Sequence, residues 1–355
     1  MVVNDTLLSE ENLSAHSSAM PLIIQGNLLV SCILVGLILP TTFLGFNFVG
    51  TSFEYQLPST IDDVICFTEP VAPFPLFVML GPWKTGTTTL RYMLDSHPCL
   101  VGSKEKAHFL SQQSSHPRAF KHQYFHQMLP WTAAHKWFPN VGYRAAFEAG
   151  ASYFFEPKAS TVIDNVKQFL PKTRLVASFR EPIAAMFSRY RMQVDKREHA
   201  AVNRSFEEWV QHNRFYDYAS NLQTWTKDFP FGDRLMVVSF EQATLRPNST
   251  MNNLYSWLGL PAHVTEPVWM NSGSVKNIHV KQSSGIDRDV YYRLVEKSRP
   301  MLRKLYQLTG VNFGWEEQWQ YVLANCGFSA SGKSLCYPNS WLEFMKQQQE
   351  LSENF

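Results

Sequence analysis

Eight residues, Gly81 to Thr88, hold a lysine, three threonines and two glycines in the run Gly-Pro-Trp-Lys-Thr-Gly-Thr-Thr. Glycine lets backbone N–H groups approach a ligand closely, lysine supplies charge, and hydroxyls add neutral donors. That combination suits an anion with several oxygens. The nucleoside-triphosphate loop G-x-x-x-x-G-K-[ST] does not fit, because Lys84 precedes Gly86. A second constellation lies further on, at Arg180, Pro182 and Ser188. Arginine offers a planar fork to phosphate oxygens, and a serine hydroxyl adds a donor beside it. Each motif alone is weak: the first could be an ordinary turn, and a lone strand-end arginine is usually a surface residue. Together, each at the C-terminal end of a strand, they are a strong signal.

Both motifs need elements to hold them. Leu76 to Leu80 is a short apolar run ending at Gly81, as a buried parallel strand reads. Leu90, Met93 and Leu94 then follow helical spacing, which His97-Pro98 ends. Leu175 to Phe179 is a second such strand. Arg180 stands at its end, Pro182 opens a helix, and Ile183, Met186, Phe187 and Tyr190 form its apolar stripe. The spacing predicts an α/β fold with a central parallel sheet of four or five strands and helices on both faces. Further helices are expected near 205–227, opened by the capping box Ser205-Phe-Glu-Glu208, near 247–257 and near 287–308. A polar helical tail begins at about Trp341. In an open sheet of this kind, ligands bind at the strand C-terminal ends.

The composition narrows the rest. Of 355 residues, 45% are apolar and 17% charged, so the chain can bury a full core and is not disordered. A net charge of +2 gives no general reason to expect nucleic-acid binding. Five cysteines without a CxxC pair exclude a disulfide-dense scaffold and zinc-finger spacing, and no metal-ligand cluster is visible. Leu28 to Phe46 is a 19-residue uncharged apolar run inside a longer uncharged stretch, Ser17 to Ser52. It is long enough to cross a bilayer. No Lys or Arg precedes it, unlike a signal peptide. The expected order is a tail over 1–21, a membrane signal-anchor over 22–48, a stem over 49–73, a folded α/β domain over 74–325 and an extension over 326–355. The first basic residue is Lys84, so charge does not assign the orientation. Asn4, Asn12, Asn203 and Asn248 begin sequons. Cys326 and Cys336 enclose a short Gly/Ser-rich loop that closes readily in an oxidising compartment. Cys66 and Cys99 either pair or stay free.

The loop Gly81-x-x-Lys84-Thr85-Gly86-Thr87-Thr88 resembles the 5′-phosphosulfate loop of the sulfotransferases, which use 3′-phosphoadenosine 5′-phosphosulfate (PAPS). Arg180 and Ser188 match that family's strand-end arginine and helix serine. The resemblance covers roughly residues 74–315, including 148–157 and the strand–helix unit 234–260. It is closest to the Golgi carbohydrate branch, of heparan and chondroitin sulfate type. It implies a P-loop-like sulfotransferase fold, a luminal catalytic domain on a type II Golgi anchor, PAPS as co-substrate and no metal. It further implies Lys84 on the leaving oxygens, Thr85, Gly86, Thr87 and Thr88 around the 5′-phosphate, and Arg180 and Ser188 on the 3′-phosphate. Lys276, in the Ser/Gly/Lys-rich stretch 272–285, matches a loop that closes over that phosphate. An exposed flexible loop is an equal reading. The branch also often carries a disulfide in its C-terminal region.

The branch usually places its base in a K-E-x-H-F-F motif. Here the segment is SKEKAHFLSQ, with Glu105 three residues before His108 and Lys106 in the usual Glu position. Glu105 is the first candidate, His108 the second, since imidazole suits proton transfer near neutrality, and Glu148 the third. A packing histidine and a solvated glutamate are the plain alternatives. Many members also carry Arg where this chain has Ala185.

The expected acceptor is a carbohydrate hydroxyl or amine. The basic run 188–199 could line a cleft for an anionic glycan; a solvated helix face is the plain alternative, and in 296–306 that reading is preferred. Trp83, Trp131 and Trp137 could stack on sugars, the last two equally in a core. A lipid, metabolite or tyrosyl acceptor is the alternative within the class. A non-catalytic binding or scaffolding protein is the alternative outside it.

Overall fold

Alternation along the strands sets the architecture. The computed structural model describes residues 65–103, 109–112, 122, 124–125, 134, 136–213, 215–265, 285–329 and 331–353. The expected anchor and all but the end of the stem lie outside these residues, as do Glu105, His108, Trp131 and Lys276. Among the described residues no helix is long and apolar enough to cross a membrane.

Five strands form one parallel sheet: β1 (Phe77–Gly81), β2 (Leu100–Gly102), β3 (Ala145–Ala149), β4 (Arg174–Phe179) and β5 (Leu235–Ser239), in the order β2-β3-β1-β4-β5. Successive side chains point to opposite faces. Val78, Leu80, Leu175, Ala177 and Phe179 therefore enter one apolar cluster, while Phe77, Met79 and Val176 enter the other. Both clusters are buried, which is why these strands read as continuous apolar runs.

Helix α1 (Thr87–Asp95) covers the second face with Leu90, Met93 and Leu94. Helices α2 (Lys158–Phe169) and α3 (Pro182–Asp195) cover the first, through Val162 and Val166, and Ile183 and Met186. A short α4 (His199–Val202) follows. The helix expected over 205–227 is two helices, α5 (Phe206–His212) and α6 (Tyr218–Thr226). Asn213 turns extended after α5, and the Asp217 side chain accepts the Ser220 N–H to open α6. A local side-chain bond has replaced the continuing helix. The capping box at Ser205 and Glu208 is present. Helices α7 (Phe240–Leu245) and α8 (Pro247–Leu258) follow β5.

The C-terminal region adds an element the sequence reading did not anticipate. Strand β6 (Ile286–Asp287) leads into the long α9 (Arg288–Thr309), then α10 (Trp315–Ala324). Strands β7 (Gly327–Phe328) and β8 (Ser334–Cys336) form a hairpin whose β8 pairs antiparallel with β6. The tail is helix α11 (Ser340–Glu353). Disulfides join Cys66 to Cys99 and Cys326 to Cys336.

Candidate active site

The turn between β1 and α1 is built on backbone that few residues tolerate. Gly81 has φ +92°, and a Cβ there would meet the Ala151 carbonyl oxygen at 2.6 Å. Gly86 caps α1 at φ +83°, and a Cβ there would meet the Phe240 ring at 2.0 Å. Lys84 also lies in the left-handed region, at φ +64°. The first turn of α1 holds no acidic residue, so its unpaired N–H groups and the helix dipole favour an anion. Thr87 and Thr88 are half-buried at this end. Thr85 turns its side chain inward. Its hydroxyl is buried, donates to the Pro82 carbonyl at 2.6 Å and meets the Ser178 hydroxyl at 2.8 Å. Its side chain holds the loop to β4, so only its backbone can serve an anion.

Arg180 follows β4 directly and is joined to this loop. Its Nη1 donates to the Lys84 carbonyl at 3.2 Å, and its Nη2 donates to Oδ1 of Asn339 at 2.7 Å. The guanidinium lies 4.7 Å from the centre of the Phe240 ring. Phe240 thus fills the space beside Gly86 and also supports Arg180. Ser188 is half-buried on the second turn of α3. The start of α3 is held by Glu181, which accepts from the Ile183 and Ala184 N–H groups and from Trp319 Nε1 at 2.7 Å. The Glu181 N–H in turn donates to Glu241 at 2.8 Å. Burial pushes Glu181 up to about 7 despite its N–H donors, and raises Glu241 despite the attraction of Arg180.

The segment expected to carry the base is described only at its flanks. Before it, Ser103 donates its N–H to the Phe147 carbonyl at 2.9 Å, and its carbonyl accepts from Arg91. After it, Phe109–Ser111 forms a single 3-10 turn. The Leu110 N–H donates to the Tyr153 hydroxyl at 3.2 Å, while Asn165 Nδ2 donates to the Leu110 carbonyl at 2.7 Å. Tyr153 donates onward to Glu148 Oε1 at 2.6 Å, and Tyr124 donates to Oε2. Glu148 has no exposed surface, and burial raises its carboxyl to about 7 against the two hydroxyl donors. Each of its oxygens accepts one hydroxyl, and through Tyr153 it supports the Leu110 turn. Glu105 and His108 belong to the stretch between the two flanks.

Several contributors had no clear signal in the sequence. Asn339 lies 159 positions from Arg180, and Phe240, read only as part of a strand–helix unit, reaches both motifs. Tyr216 donates its hydroxyl to the Trp83 carbonyl at 3.1 Å. The Arg189 guanidinium lies 5.4 Å from the Trp83 ring. Trp137 stacks edge-on to Tyr143, 5.3 Å between centres, with 43% of its surface exposed. Among the described residues no three His, Cys, Asp or Glu side chains group to hold a metal ion.

The arrangement offers backbone donors, a lysine and an arginine on two adjacent parallel strand ends. Neighbouring strands β1 and β4 send their helices, α1 and α3, to opposite faces of the sheet. That leaves a crevice where α/β sheets take ligands.

Comparison with known proteins adds the family. The model of the sulfotransferase family matches residues 75–265. The chain is 24% identical over 302 residues to heparan sulfate glucosamine 3-O-sulfotransferase 3A1 of Mus musculus, spanning 77% of this chain and 72% of that protein. It is 24% identical over 207 residues to bifunctional heparan sulfate N-deacetylase/N-sulfotransferase 3 of Homo sapiens, 53% of this chain and 23% of that one. A solved sulfotransferase from Alicyclobacillus acidocaldarius superposes with a TM-score of 0.48 at 21% identity, over 69% of this chain and 100% of that one. With more than half of its length matched by the family model, the chain belongs to the sulfotransferase family of enzymes.

Proposed function

We propose that the protein transfers a sulfuryl group from PAPS to a hydroxyl or amine of a carbohydrate, releasing 3′-phosphoadenosine 5′-phosphate (PAP). One observation carries this reading: Arg180 donates to the carbonyl of Lys84, which joins the two anion motifs into one site. Bound PAPS supplies an activated sulfuryl group on a phosphate leaving group. The acceptor oxygen or nitrogen attacks sulfur, the bond from sulfur to the bridging oxygen breaks, and its electron pair leaves with the phosphate. Lys84 neutralises the charge that develops there. The N–H groups of Thr85, Gly86, Thr87 and Thr88 hold the 5′-phosphate, and Arg180 and Ser188 hold the 3′-phosphate, with Lys276 closing over it. Glu105 takes the acceptor proton, with His108 as the second candidate.

A carbohydrate acceptor is supported by the heparan sulfate sulfotransferases among the relatives. The uncharged stretch Ser17 to Ser52 supports a signal-anchor over 22–48 ahead of a stem and a luminal domain. The two disulfides agree with an oxidising compartment such as the Golgi lumen.

Calorimetric titration of the detergent-solubilised full chain with PAP tests the reading. Arg180→Ala is expected to weaken PAP at least tenfold and to leave adenosine 5′-phosphate, which lacks the 3′ group, little changed. A folded wild-type protein that does not bind PAP would overturn the proposal.

A further inference from the structure

We infer that Trp83 and Arg189 form an acceptor subsite, which takes a sugar bearing a carboxylate or sulfate close to the group that is sulfated. The inference rests on the function proposed above and adds to it the residues that select the acceptor.

Trp83 immediately precedes Lys84, and 37% of its surface is exposed although its neighbour Pro82 is buried. Its backbone is held by the Tyr216 hydroxyl, so the loop presents the indole from a fixed position. Arg189 comes from α3. Its guanidinium lies 5.4 Å from the Trp83 ring and 5.7 Å from the Trp209 ring. Its Nε is buried and has no hydrogen-bond partner. No carboxylate lies within ion-pair reach of Arg189 among the described residues, whereas Arg91 and Arg293 each have one and Arg299 has two. Its guanidinium is hydrogen-bonded to Tyr216, whose phenol is raised by burial and so brings no counter-charge. A half-buried cation without a counter-charge is costly to keep. An anion brought by a ligand would supply that counter-charge.

The nucleotide is not the expected source of that anion. Arg189 directly follows Ser188, and consecutive helical side chains point about 100° apart. Arg189 therefore leaves α3 in a different direction from Ser188, toward Trp83. What lies beside Arg189 is the indole next to Lys84, where sulfuryl transfer is proposed to occur. A flat apolar ring beside a guanidinium that has no carboxylate partner suits a sugar ring carrying an anionic group.

The test titrates the full-length protein, with and without PAP, with three oligosaccharides. These are heparosan, which carries carboxylates only; carboxyl-reduced heparosan, which is neutral; and heparan sulfate, which carries both anions. Binding is read by calorimetry and by tryptophan fluorescence. Arg189→Met keeps the packing of the stem and removes the charge. It is expected to weaken heparan sulfate at least tenfold while PAP affinity and binding of the neutral polymer hold. An equal loss for heparosan identifies the anion as carboxylate, and a loss confined to heparan sulfate identifies it as sulfate. Trp83→Ala is expected to weaken all three, and Trp83→Phe to restore part of that binding. Unchanged heparan sulfate binding in a folded Arg189→Met protein would overturn the inference. So would an equal loss of PAP affinity, or failure of the wild type to bind either anionic polymer. Failure of the wild type to bind PAP overturns the donor-site reading instead, and the titrations without PAP still report on Arg189.

Discussion

Glu148, the third candidate base, is tied to the turn at Leu110 through Tyr153. Its two oxygens accept from Tyr124 and Tyr153, and Tyr153 holds the Leu110 turn. Burial has raised its carboxyl from 4.5 to about 7. Between those values the folded protein keeps a proton that the unfolded chain has released. Stability therefore falls as pH rises through that window, by about 3 kcal/mol for this group. Glu148→Gln removes the titration but keeps the volume. Denaturant unfolding at pH 5 and pH 7.5 is expected to show the variant gaining on wild type toward pH 7.5; an unchanged difference would refute the assignment. Asn339 makes a second prediction. Its Oδ1 accepts from Arg180, so Asn339→Asp sets a carboxylate against the proposed 3′-phosphate ligand. PAP affinity should drop about tenfold, since an opposing charge near the site costs about 1.4 kcal/mol or more. Affinity for adenosine 5′-phosphate should hold, and calorimetry reads both.

At the scale of the element, the strand–turn–helix unit from β1 to α1 is set by its glycines. Gly86 has a left-handed conformation and no room beside Phe240. Gly86→Ala combines the strain of that conformation with overpacking, a loss of about 2–4 kcal/mol in unfolding free energy. Gly259 is an informative control: it is also left-handed, at φ +76°, yet nothing lies within 4 Å of its added Cβ. Gly259→Ala should cost only the backbone strain, about 1 kcal/mol. Equal losses at both positions would mean that Phe240 yields.

At the scale of the molecule, two disulfides staple regions outside the central sheet. Cys66 joins Cys99 across a separation of 33 residues, and Cys326 joins Cys336 across 10. On loop-closure entropy these contribute about 4 and about 3 kcal/mol, respectively. The paired substitutions Cys66→Ser with Cys99→Ser should therefore lower unfolding free energy more than Cys326→Ser with Cys336→Ser. The second pair has a functional reading as well. It closes the hairpin that precedes Asn339, so loss of that bond should also weaken PAP, whereas loss of the first should not.

What the sequence by itself determined is local. Apolar runs of five residues before Gly81 and before Arg180 were enough to place two buried strands, and the 3.6-residue spacing after each placed a helix. The parallel sheet and the two anion motifs follow from those patterns, because burial of one face is written into neighbouring positions. Tertiary structure decided what meets at the strand ends. Asn339 reaches Arg180, Arg189 reaches Trp83 and Phe240 fills the space beside Gly86, all through separations that no periodicity records. The same packing turned the Thr85 hydroxyl inward to Ser178 and enclosed Glu148 between two tyrosines. Residue type states which bonds a side chain can make, but which partner it finds depends on where distant segments come to lie.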